Sequence, residues 1–160
     1  MAVLAAQGIE MELPAGWDGR IRRREVVAAQ DRVGPAAAAP LAPPAIAHAA
    51  SFSLPPGAGD FGGGAVELMR PADLFVALVE FDPDSIGTAL FRREGMPRSL
   101  RAEAFGPDAL QRTIAGQGGT QVFFTEAGRP FCLYVVLGSF ARRGRSLPVL
   151  NGLLQGITIR

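Results

Sequence analysis

Lysine is missing from this chain of 160 residues, and all 16 basic side chains are arginines. Cysteine, histidine and tryptophan occur once each, as Cys132, His48 and Trp17. A lone cysteine excludes an intramolecular disulfide and a thiolate metal cage, and one histidine cannot build a metal centre by itself. Long apolar runs are also missing. LFVALV and FCLYVVLG fall far short of the roughly 18 residues that mark a membrane span. The opening MAVLAAQGIEMELP has no basic stretch ahead of an apolar core, so no signal peptide is expected and the reading is cytoplasmic. Charge of one sign is scarce: 16 basic residues face 15 acidic ones, for a net +1. Proteins that neutralise phosphate backbones carry a strong basic excess, so nucleic acid is not an expected partner. The G-x-S-x-G, P-loop and H-E-x-x-H patterns are absent as well. No catalytic residue, metal or cofactor is expected.

What is present describes a folded chain. Hydrophobic residues make up 48% and charged residues 19%, with a mean hydropathy of +0.20, which sets it apart from disordered polar sequences. The length suits a single domain over residues 1–160 with one core. Exclusive use of arginine, with 20 glycines and 13 prolines, matches the codon bias of a GC-rich bacterial genome. The glycine and proline content is therefore not taken as a sign of disorder.

Ile9, Met11 and Leu13 alternate with Glu10 and Glu12, which predicts a half-buried strand. Pro14 to Gly19 is turn chemistry, and Arg20 to Val27 predicts a returning strand with Ile21 inward. In such a hairpin Arg20, Arg22, Arg23 and Arg24 form an outer face with Glu10, Glu12 and Glu25 as partners, rather than an arm for nucleic acid. Residues 28–45, rich in alanine and proline, predict a flexible internal loop. Strands follow at Ile46–Leu54 and Ala65–Met69. Leu74–Phe81 is apolar on both faces, as in a central strand. A short helix opened by Pro107-Asp108 carries Leu110 and Ile114. Thr120–Thr125 and Pro130–Gly138 pair about Glu126-Ala127-Gly128-Arg129. Ser146 caps a helix bearing Leu147, Leu150, Leu153 and Leu154, Gly156 stops it, and Ile157–Ile159 is a last strand. Strands joined by hairpins with few helices define an α+β domain built on an antiparallel sheet.

The opening strand, the LPAGW turn and the closing strand–helix–strand together resemble PsbP-like domains. The resemblance covers the outer thirds of the chain. It implies an α/β/α sandwich around an antiparallel sheet and a non-enzymatic accessory or binding role. It assigns no functional residue.

Five features could carry chemistry. Gly57-Ala58-Gly59-Asp60-Phe61-Gly62 fits G-x-G-x-x-G, with Glu80 near the acidic position of a dinucleotide site. No helix has room to follow it before Pro71, which leaves a glycine-rich turn. Cys132, between Phe131 and Leu133, reads as a buried, inert thiol. His48 lies on an apolar face. Glu80, Asp82 and Asp84 cluster where a strand ends; they are either turn vocabulary or, with Arg92 or Arg93, the carboxylates of a small enzyme or ligand site. Arg142, Arg143, Arg145 and Ser146 precede a helix, as either a solvated loop or a site for a small anion. The leading reading is an accessory module that binds another protein, or a second copy of itself, through the sheet or the long loop.

Overall fold

The two segments with the strongest apolar patterning form the centre of the molecule. They are β5 (Leu74–Glu80) and β7 (Arg129–Leu137), paired antiparallel from Leu74 opposite Leu137 to Glu80 opposite Phe131. Every side chain from Leu74 to Val79 and from Pro130 to Leu137 is buried. β4 (Ala45–Ala50) adds to β5, β3 (Asp18–Arg23) adds to β4, and β6 (Gly118–Glu126) adds to β7. The result is a five-stranded antiparallel sheet in the order β3-β4-β5-β7-β6. A second sheet of three strands, β1-β2-β8, joins β1 (Ala2–Ala6), β2 (Ile9–Leu13) and β8 (Ile157–Ile159). The α-helix among the described residues is α1 (Arg143–Gln155). This computed structural model describes residues 1–25 and 42–160. The loop expected at 28–45 falls mostly outside them; Ala45 already belongs to β4.

The chain is an α+β protein with an antiparallel sheet and few helices. On one face of the large sheet, Leu74, Val76, Leu78, Leu133, Val135 and Leu137 meet Ile9 and Met11 of β2 and Ile157 of β8. Leu150, Leu153 and Leu154 of α1 complete that core. On the other face, Phe75, Ala77, Val79, Tyr134 and Val136 are covered by Leu54, Ala58, Ala65 and Val66, from the segment between β4 and β5. A helix and a small sheet cover one side of the large sheet, and loops and 3-10 turns cover the other.

Several local expectations are corrected. β2 and β3 do not pair as a hairpin. β2 has both edges taken, by β1 and by β8, so β3 leaves it to pair with β4. The turn between them is tight, with Trp17 N–H donating to Pro14 O at 3.1 Å and Gly16 at φ +81. A positive dihedral at the third turn position is the signature of a type II turn, which glycine adopts without strain. Residues 65–69 are a 3-10 turn at Val66–Leu68 rather than a strand, and Pro107–Ala109 is a 3-10 turn rather than a helix. Leu110 and Ile114 still pack on the second core. Ser146 does not cap the helix. A 3-10 turn at Phe140–Arg142 runs into α1, Arg142 is the N-cap residue, and Pro148 lies inside. Proline there removes one helical donor, opposite the exposed Gly144 carbonyl.

The segment between β4 and β5 touches the sheet closely at one glycine. A Cβ built on Gly62 would lie 2.5 Å from Phe75 Cε1, and Gly62 has φ +82. We expect Gly62→Ala to cost about 3 kcal/mol from left-handed strain and overpacking together. Gly63→Ala, where nothing lies within 4 Å, should shift the urea midpoint little. Equal midpoints for the two variants would show that the glycine loop does not seat on the sheet.

Candidate functional site

The helix that follows the arginine loop directs four residues to one side. Arg142, Arg145, Ser146 and Val149 fall at the spacing i, i+3, i+4, i+7, one face of a helix. With Trp17, Ser51, Pro71, Ala72 and Leu74 they line a cleft of about 280 Å³. Trp17 reaches it from the turn before β3, half-buried against the first core. Ser51 is fixed at the end of β4, donating to Asp73 at 3.3 Å and accepting from Leu74 N–H at 2.9 Å. Arg142 and Arg145 are exposed and, among the described residues, have no carboxylate partner. An aromatic wall, an aliphatic floor and two unpaired guanidiniums thus meet in one groove.

Of the four residues expected at an anion site, Arg142, Arg145 and Ser146 come together here. Arg143 turns away: its guanidinium lies 4.2 Å from the Phe140 ring centre and donates to Phe140 O at 3.0 Å. The sequence reading missed Trp17, Ser51 and Val149. The helical spacing from Arg142 to Val149 was available; the approach of Trp17, more than a hundred residues away in sequence, had no local signal.

The G-x-G-x-x-G segment forms no nucleotide-binding helix, and its acidic residue anchors the loop. Asp60 accepts from Arg22 at 2.7 Å and from Arg24 at 2.9 Å, while His48 Nε2–H donates to the Asp60 carbonyl at 2.8 Å. Arg22 and Arg24 therefore find their partners in this loop, and Arg20 in the Pro55 carbonyl just before it, and not in Glu10 or Glu12 as the hairpin reading expected. Burial lowers the His48 pKa, against the backbone hydrogen bond that raises it, and the nearby Arg22 charge lowers it further. Burial raises Asp60, but the hydrogen bonds and charges of Arg22 and Arg24 outweigh it and hold the carboxyl below its ordinary value.

The carboxylate cluster is divided. Glu80 is bound on both oxygens: Arg129 donates at 2.9 and 3.0 Å, and Ala45 N–H at 2.7 Å. Asp82, Asp84, Arg92 and Arg93 are exposed, and no ion pair joins them among the described residues. Cys132 is buried in β7, and burial pushes its thiol up to about 12. Among the described residues, no group of three or more His, Cys, Asp or Glu side chains is placed to hold a metal, and no helix is long and apolar enough to cross a membrane. No family model matches the chain, and no curated protein or solved structure matches it.

These environments have measurable consequences. His48 with a lowered folded pKa contributes stability that is full above its ordinary 6.5 and is lost as pH falls below it, because the unfolded chain then binds the extra proton. Asp60 contributes stability present above its ordinary 3.8 and lost only on further acidification. Resistance to urea should therefore fall in two separate steps as the pH is lowered, and His48→Gln should abolish the first alone. A single step below pH 4.5 would overturn the assignment. Cys132 should react with a thiol reagent only on unfolding; modification of the native chain at neutral pH would contradict its placement.

Proposed function

We propose that this chain is a cytoplasmic, non-enzymatic accessory module that binds another protein, and that the Trp17 cleft takes an acidic segment of that partner. The observation that carries the reading is the meeting of Trp17 with the unpaired Arg142 and Arg145 over the apolar surface of Pro71, Leu74 and Val149. Tryptophan and arginine are the residue types that dominate binding energy at protein interfaces, and the arginine fork matches a carboxylate in shape and charge. Exposed arginines held apart by helical spacing suit carboxylates presented along an extended segment. The PsbP-like resemblance of the outer segments supports the same accessory role.

Trp17, the sole tryptophan, reports on the cleft directly. A short peptide alternating glutamate and leucine should change its fluorescence saturably at low salt. The same peptide with glutamine in place of glutamate should not. Arg142→Ala with Arg145→Ala should weaken the acidic peptide about tenfold, the sum of two partly exposed ion pairs. Binding that survives the double substitution, or no saturable change at all, would refute the reading. Self-association of the free chain in sedimentation would instead give the cleft a second copy as its occupant. The ring's half burial sets the stability cost of Trp17→Ala at about 1–2 kcal/mol, below the value for a fully buried aromatic.

A further inference from the structure

The edge strand β3 carries a second concentration of positive charge, on the face opposite to the Trp17 cleft. Trp17 and Ile21 pack on the core beside the helix. Arg20 and Arg22, at alternate positions of β3, turn the other way, toward the loop before β5, and Arg24 just past the strand end joins them. These three arginines, with Glu25 and Gly57 to Asp60, line an open cleft of about 450 Å³.

The charges in it do not balance. Asp60 places one oxygen against Arg22 at 2.7 Å and the other against Arg24 at 2.9 Å. One carboxylate thus serves two of the three guanidiniums. Arg20 donates only to the Pro55 carbonyl, at 3.3 Å, and no carboxylate pairs with it among the described residues. Glu25, exposed at the rim, forms no ion pair among the described residues either. A chain with a net charge of +1 has no general basic excess from which such a cluster would arise. Arg22 and Arg24 fasten the loop through Asp60 and the Ala58 carbonyl, which leaves Arg20 with one long bond to backbone and its charge unmatched.

We propose that this cleft binds a small phosphate-type dianion, either free phosphate or a phosphate ester. Alternate strand residues lie about 6.7 Å apart, a gap that an oxyanion accepting charge-assisted hydrogen bonds on two sides can span. The dianion bridges Arg20 and Arg22. Asp60 competes with it for Arg22 and, when no ligand is bound, keeps that guanidinium ordered and in place. The site is independent of the Trp17 cleft, and either can fail without the other.

The test is the melting temperature of the full chain against phosphate concentration, with chloride at matched ionic strength as the reference. Phosphate should stabilise saturably, and glycerol phosphate should do the same if esters are accepted; stabilisation by phosphate alone restricts the site to the free ion and leaves the proposal standing. Arg20→Gln, which loses a single long hydrogen bond to backbone, should raise the half-saturating concentration about tenfold. Arg145→Gln, in the Trp17 cleft, should leave it unchanged. Asp60→Asn removes the competing charge and should lower the half-saturating concentration, even though the loop itself is less firmly held. A purely structural Asp60 predicts the reverse for that variant. Equal phosphate response in the parent and Arg20→Gln would overturn the proposal even if Asp60→Asn fails to fold.

Discussion

Burial of β5 and β7 on both faces is the constraint from which the rest of the molecule follows. A strand pair with apolar side chains above and below must be covered twice, or it exposes a large patch to water. The helix and the small sheet cover one face. The other cover comes from a loop, and a loop brings polar backbone with it. Its N–H and carbonyl groups must find partners as they settle on the sheet. Asp18 accepts from Leu54 N–H, Arg22 donates to the Ala58 carbonyl, His48 to the Asp60 carbonyl, and Gln117 to the Val66 carbonyl. The polar residues of β3 and β4, with Gln117 just ahead of β6, are thus the fastenings of the loop layer.

Glu80 and Arg129 tie three strands together at one end of the sheet in the same manner. Glu80, at the end of β5, joins the first amide of β4 to the first side chain of β7, and Arg129 continues to the carbonyl of Arg160 beyond β8. The pair is mostly shielded from water and doubly hydrogen-bonded, which makes it costly to break from one side. A glutamate at the end of a strand, in a sequence rich in turn residues, resembles a catalytic candidate; its two bound oxygens give it a structural task.

How much of this was legible depends on the range over which each feature is decided. Strands are set by alternation within a few residues, so Ile9–Leu13, Leu74–Glu80 and the β6–β7 hairpin could be read directly, as could the leucine face of α1. Pairing is decided elsewhere. The LPAGW turn looks like a hairpin turn because nothing in it shows that β8 already occupies the edge of β2. The helix start was misplaced because Ser146 is good capping chemistry, whereas Ser139, ahead of the 3-10 turn that feeds the helix, makes no side-chain capping bond. At the site, three of four expected residues share the cleft because one helix positions them. Arg143 was lost to a contact with Phe140, and Trp17 was invisible because only the folded sheet brings it near.

The position of β8 bears on the order in which the molecule is made. Ile157 to Ile159 pair with Met11 to Ile9, so a strand made late completes a sheet begun by strands made much earlier. Until it emerges, β2 has an open edge and its inward side chains, Ile9, Met11 and Leu13, lack part of their cover. Pairings between such distant segments close late and slowly, because the intervening loop must be gathered first. The growing chain therefore carries an unpaired, half-apolar strand while the segments between β2 and β8 are made. Glu10 and Glu12 on the outer side of that strand are charges of the kind that discourage edge-to-edge pairing between neighbouring nascent chains.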